Sequence, residues 1–219
     1  VWTASRHWML SVTPMRAPQP VTVPATAAAV HAVPESAPAC ARGLDAILDE
    51  AGEAPHTTTA SRLEILRAQC PRDPRVLAEL AGLRFAQRQW ASAAALAERA
   101  LAFAPHDPYA ADVLASSRFM LDDVPGALRA WNQVGRPYLD SVRITGLRRT
   151  RYSLVALALG LTPNTQLTDS QFLLARRRIE AMPDHGATRV ALRPDRDGFA
   201  VVDVAVVEKA AVPRTPVMW

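Results

Sequence analysis

The side chains able to do chemistry are few and scattered. Five histidines, His7, His31, His56, His106 and His185, lie far apart, and no two stand at metal-ligand spacing. Neither His-Glu-x-x-His nor Gly-x-Ser-x-Gly occurs, so zinc hydrolysis and serine acyl transfer lack their usual groups. The nine glycines are isolated, which leaves no loop to cradle a phosphate. Asp195-x-Asp197-Gly198 has the opening of a calcium loop without a glutamate at its far end, and a hairpin turn suits it better. Asp122-Asp123 reads as a loop and helix-start pair. Arg176-Arg177-Arg178 reads as a solvated helix face, with contact to an acidic lipid or partner as the alternative. Cys40 and Cys70 stand without clustered histidines or acids and make no metal site. If a helical hairpin separates them, one precedes its first helix and the other ends its second, close enough for a disulfide; two unpaired thiols is the other reading. The expectation is no enzyme, no cofactor and no metal.

The elements around these residues begin with a proline-rich stretch. Six of the 18 prolines fall in the first forty residues, with no glycine among them, as in an extended arm or linker. A secretory signal is the rival reading: Met15-Arg16, a weakly apolar run over 21–33, and Ala37-Pro38-Ala39 before Cys40. The chain starts at Val1 and ends at Trp219, which reads as a mature chain or a fragment of a longer one. Of the 219 residues 49% are hydrophobic, which suits globular packing, and no apolar run approaches the roughly 20 residues of a membrane-spanning helix. The net charge is +4, and Lys209 is the sole lysine among 25 basic residues. That charge is diffuse and interleaved with acids, so a nucleic-acid partner is not expected.

Shifting the chain by 34 residues aligns Asp73-Pro74 with Asp107-Pro108, Leu80-Ala81 with Leu114-Ala115, Phe85 with Phe119, and Ala93 with Ala127. Each unit reads as two helices. Val76, Leu77, Leu80, Ala81 and Leu83 make the apolar face of the first, and Ala93, Leu96, Ala97, Ala100 and Leu101 that of the second, stopped by Pro105. Residues 44–50 and 61–69 read as an earlier, degraded unit. Ala81, Ala93, Ala100 and Pro105, with Ala115 and Ala127, resemble the tetratricopeptide repeat pattern, although Arg84 and Arg118 stand where that family carries an aromatic. The resemblance implies a concave face showing Arg75, Ala78, Gly82 and Phe85, then Tyr109, Asp112, Ser116 and Phe119. Phe85 and Phe119 would anchor a peptide there; packing between repeats is the competing use.

From Tyr138 the rhythm changes. Residues 141–145 alternate as a half-buried strand, Thr150 is placed to cap a helix through Leu161, and Thr168 or Asp169 to cap another. Two strands follow, at about 187–193 and 199–208, joined across Asp197-Gly198. This order, together with residues 142–150, Leu159-Gly160-Leu161, Leu167-Thr168-Asp169 and Arg177-Arg178-Ile179, resembles a POTRA domain, the polypeptide-transport-associated module of outer-membrane assembly proteins. The resemblance implies capture of extended segments by strand addition at the edge Thr188, Arg189, Val190 and Arg193. Arg189 and Arg193 as charges that merely blunt the edge is the alternative.

The expected fold class is therefore multi-module: all-α TPR-like hairpins followed by a small α+β (β-α-α-β-β) domain. The expected spans are an arm over 1–40, repeats over 41–139, the POTRA-like domain over 140–212 and a tail over 213–219. The implied function is a non-catalytic adaptor of the bacterial cell envelope, periplasmic and associated with the outer membrane. Its expected partners are proteins or unfolded barrel polypeptides within an outer-membrane complex. Either a membrane barrel follows Trp219 or the chain is a free-standing scaffold subunit. A cytoplasmic tetratricopeptide scaffold is the alternative from a different class.

Overall fold

The computed structural model of the chain describes residues 37–51, 56–183 and 185–209. The chain divides into two compact units, with the division between Ala104 and Pro105. The expectations for the arm before Ala37 and for the tail lie outside the described residues.

Among the described residues the first unit holds four helices: α1 (Ala37–Glu50), α2 (His56–Gln69), α3 (Pro74–Ala86) and α4 (Trp90–Phe103). α1 begins at Ala37, inside the stretch expected as extended arm, and α2 at His56, ahead of the residue 61 expected. Local chemistry sets the start of α3. The Asp73 carboxylate accepts from the Arg75 and Val76 backbone N–H groups at 2.9 and 3.4 Å, and Pro74 fills the first turn, where no N–H is needed. Arg88, at φ 61°, turns the chain into α4. Val76, Leu77, Leu80 and Ala81 are fully buried, as are Ala93, Ala97 and Ala100 of α4, so alanine lets the two helices of the hairpin approach closely. Burial of a side chain such as Leu80 contributes about 1.5–3 kcal/mol. Cys40, in the first turn of α1, and Cys70, just after α2, form a disulfide with Cα atoms 6.1 Å apart.

The second unit holds α5 (Pro108–Met120), α6 (Val124–Asn132), β1 (Tyr138–Thr145), α7 (Tyr152–Leu159), α8 (Asp169–Glu180), β2 (His185–Pro194) and β3 (Phe199–Glu208). The repeat recurs at the start of the first helix and in the turn that follows it. Asp107 caps α5 through the Tyr109 and Ala110 N–H groups at 2.9 and 3.3 Å, as Asp73 caps α3, and Asp122, 34 residues after Arg88, has φ 64°. Arg84 and Arg118, in place of the aromatic, each bond within their own unit. Arg84 reaches the Glu64 carboxylate at 2.8 Å and Gln89 at 3.0 Å, and Arg118 donates to the Gly126 carbonyl at 3.3 Å.

The three strands form one sheet in the order β1-β3-β2, β1 parallel and β2 antiparallel to β3. α8 packs on β2, α7 on β1, and the two helices on each other. Ala200, Val202, Val204 and Val206 are buried while Phe199 and Val207 are exposed, the alternation of a sheet covered on one face, although Val201 on the other face is buried too. Thr150 does not cap α7: Arg151 precedes the helix, without a side-chain cap, and Gly160 ends it at φ 62° two residues before the expected end. Thr168 caps α8 in a reciprocal box with Gln171. Gly146 is obligatory, because a Cβ there would sit 2.0 Å from the Val206 carbonyl oxygen.

Candidate interaction surfaces

The two phenylalanines expected as groove anchors are each held by a tryptophan of the next helix. In the first unit the Phe85 ring lies 4.8 Å from Trp90, and in the second Phe119 lies 6.4 Å from Trp131, centroid to centroid. Both phenylalanines are half-buried. Ala78 and Gly82, expected on the same open row, are buried in the hairpin and show no surface. Arg75 is exposed and pairs with Asp45 of α1 at 2.9 Å. Tyr109 is half-buried.

Asp112 is an internal tie. Arg136 approaches its carboxylate at 3.4 Å and the Trp131 indole donates to it. Burial pushes its pKa above the ordinary carboxylate value, and the Arg136 charge and the indole bond offset this only in part.

The edge residues stand on β2, which pairs with β3 alone among the described residues. Thr188 and Val190 are half-buried on the side facing the helices, and Arg189 and Arg193 are exposed on the other. Arg193 lies 3.5 Å from Asp203 of β3. β1 is the opposite edge, but its start is covered: Leu139 N–H donates to the Thr165 carbonyl at 2.8 Å, and Asn164 N–H to the Leu139 carbonyl at 2.7 Å. Beyond that covered start, β1 pairs with β3 alone, as β2 does along its length.

Two residues that shape the second unit carry no motif. Asn132 ends α6 and donates from Nδ2 to the carbonyls of Arg136 and Leu167 at 2.8 and 3.0 Å, while its Oδ1 accepts from Asp169 N–H at 3.2 Å. Glu208 ends β3 with its side chain 5% exposed and closes the β1–α7 loop. Its carboxylate accepts the N–H groups of Thr150 at 2.9 Å, Arg149 at 3.0 Å and Arg148 at 3.2 Å. Those bonds, led by Thr150, hold its pKa down to about 2 against burial. Thr150 thus serves this clasp instead of a helix cap. A carboxylate at a strand end near three arginine-rich loop positions was the available signal for Glu208; Asn132 offered none.

Among the described residues no group of three or more His, Cys, Asp or Glu side chains could hold a metal ion, and no helix is long and apolar enough to cross a membrane.

These features define a protein of helical hairpins that repeat at 34 residues, followed by a small three-stranded sheet. No family model and no curated protein matches the chain. Among solved structures it is similar to the globular C-terminal domain of P. aeruginosa LpoP, at 28% identity over 43% of this chain and 93% of that one, with a TM-score of 0.39. It is also similar to the Sgt2 TPR domain from Aspergillus fumigatus, at 24% identity and a TM-score of 0.37. That likeness covers 47% of this chain and 65% of the Sgt2 domain.

Proposed function

We propose that the chain is a non-catalytic, protein-binding adaptor of the bacterial cell envelope. It acts in the periplasm at the outer membrane, as part of an assembly or transport protein or as a subunit of one. The α+β part is POTRA-like and takes extended polypeptide, such as an unfolded barrel segment, as a fourth strand beside β2. The observation that carries this reading is the ten-residue β2, paired on one side only, at the end of the order β1-β3-β2. Main-chain bonds would supply the affinity, and the exposed Arg189 and Arg193 would favour partners carrying acidic residues. The Cys40–Cys70 disulfide suits an oxidising compartment. The hairpins supply the second, partner-facing surface.

Proline scanning tests strand addition. Successive residues of an edge strand turn their N–H groups alternately to the neighbour and to solvent. Arg189→Pro and Val190→Pro, compared in the full chain, therefore separate the two effects. One breaks the ladder to β3, and the other keeps the fold and loses capture of an unfolded barrel peptide. Equal capture by the folded variant and the parent, together with indifference to charge reversal at Arg189 and Arg193, refutes the mechanism.

A further inference from the structure

The helix layer of the second unit leaves an apolar surface uncovered. α7 is apolar on all sides: Val155 and Leu159, four residues apart, face the core, and Leu154 and Leu157 lie on the opposite side, 54% and 79% exposed. On α8 the buried residues are Phe172, Ala175 and Ile179; Leu174, 40% exposed, lies opposite them with Arg177 and Arg178 one turn further on. The Arg178 guanidinium sits at the C-terminal end of α7, since a Cβ on Gly160 would lie 2.6 Å from its Nη1. Three protruding leucines on two packed helices are thus rimmed by arginines at Arg151, Arg177 and Arg178.

The charge around this surface is uncompensated. Among the described residues Arg151, Arg177 and Arg178 form no ion pair, and the two nearby carboxylates are engaged elsewhere. Glu180 lies 3.7 Å from Arg176, and Glu208 holds the 148–150 backbone.

We propose that this surface docks on an anionic lipid bilayer, with Leu154, Leu157 and Leu174 entering the headgroup–acyl boundary and the arginines contacting lipid phosphates. Arginine matches phosphate bidentately and is drawn to an anionic leaflet. A leucine that keeps more than three-quarters of its surface in water needs a counterpart that fits any shape, and a fluid acyl layer does so without a complementary cleft. The inference is independent of strand addition, which uses the β2 edge.

Flotation of the full chain with vesicles tests it. The parent binds vesicles holding about one third phosphatidylglycerol in phosphatidylcholine at about 0.1 M salt, binds pure phosphatidylcholine far less, and is released as salt rises. Leu154→Ala with Leu157→Ala leaves net charge unchanged and weakens binding roughly tenfold or more, with amide-exchange protection of the sheet retained. Arg177→Gln with Arg178→Gln weakens it by a similar factor, whereas Arg99→Gln with Arg129→Gln, equal in charge removed, does not. Leu157→Trp reports insertion directly as a blue-shifted emission relative to the parent on vesicle addition. Equal binding by the leucine variant and the parent overturns the proposal, as does loss that follows net charge at either arginine pair. Absence of vesicle binding overturns it too, and assigns the leucines to a protein partner.

Discussion

Asn132→Ala removes a clasp between the repeat hairpin and the α+β part of the second unit. The side chain makes three hydrogen bonds at 2.8, 3.0 and 3.2 Å, all to main-chain groups 4 to 37 residues away. Each neutral bond contributes about 1 kcal/mol net, and truncation leaves two carbonyls and the first N–H of α8 without that partner. Asn132 is half-buried, so water recovers part of the loss, and the expected cost is about 2 kcal/mol instead of the full 3 or so. With a urea slope of about 1.5 kcal/mol/M, the second unit's midpoint falls by roughly 1.3 M. Asn132→Asp is nearly the same shape but turns a carboxylate oxygen toward two carbonyls, so it costs at least as much. Hydrogen exchange locates the effect: the Asp169 amide, bonded to Asn132 Oδ1, loses protection first. A midpoint shift worth under about 0.5 kcal/mol, or an Asp169 amide exchanging as in the parent, refutes the clasp.

Four further outcomes follow from the same geometry. Reduction of Cys40–Cys70 opens a loop of sequence separation 30 and lowers the stability of the first unit by about 3.5 kcal/mol, read as a denaturation shift with and without reductant; Cys40→Ser with Cys70→Ser reproduces it. Glu208, depressed to about 2 from 4.5, contributes stability that is complete above its unfolded value and is lost as pH falls through 4.5 toward 2; in Glu208→Gln that part of the acid slope disappears. Asp112 has the opposite sign, its raised pKa making the fold gain as pH falls toward 3.8, so Asp112→Asn removes a rise in stability measured over mildly acid pH. Arg84→Ala, which gives up the 2.8 Å pair with a carboxylate about one-third exposed, costs about 1 kcal/mol by urea denaturation.

What could be read from sequence was local. Asp73-Pro74 and Asp107-Pro108 announce helix starts because an aspartate cap and a proline in the first turn act within three residues, and the Asp-Gly turn sits where β2 meets β3 for the same reason. Thr150 misled because a threonine before an apolar run has two uses, and its N–H was needed by a carboxylate 58 residues on. The length of α1 was missed because Pro38 counts against helix only in the interior; in the first turn its absent N–H costs nothing. Asn132 was invisible, and Glu208 showed only as a carboxylate at a strand end. Their partners are main-chain groups distant in sequence, which carry no residue identity to recognise. Of the residues expected to bind partners, Phe85, Phe119 and Asp112 carry ring or charge contacts inside their own unit, since a half-buried aromatic at a hairpin's open end finds its neighbour first.

The change of rhythm near Tyr138 marks a seam that is bonded shut, and this follows from where the main chain finds its partners. Residues leaving α6 do not run free: Arg136 N–H donates to the Trp131 carbonyl at 3.0 Å, and Leu167 N–H to the Pro137 carbonyl at 2.8 Å. Arg129 adds a 3.6 Å approach to Asp169 from the exposed side. A flexible linker would leave these groups to water. Here the segment is paired on both sides, so α5 and α6 behave as a third layer of the α+β part as much as the last repeat of an array. A load applied at the β2 edge therefore reaches the hairpin through hydrogen bonds that must break before the two parts can separate.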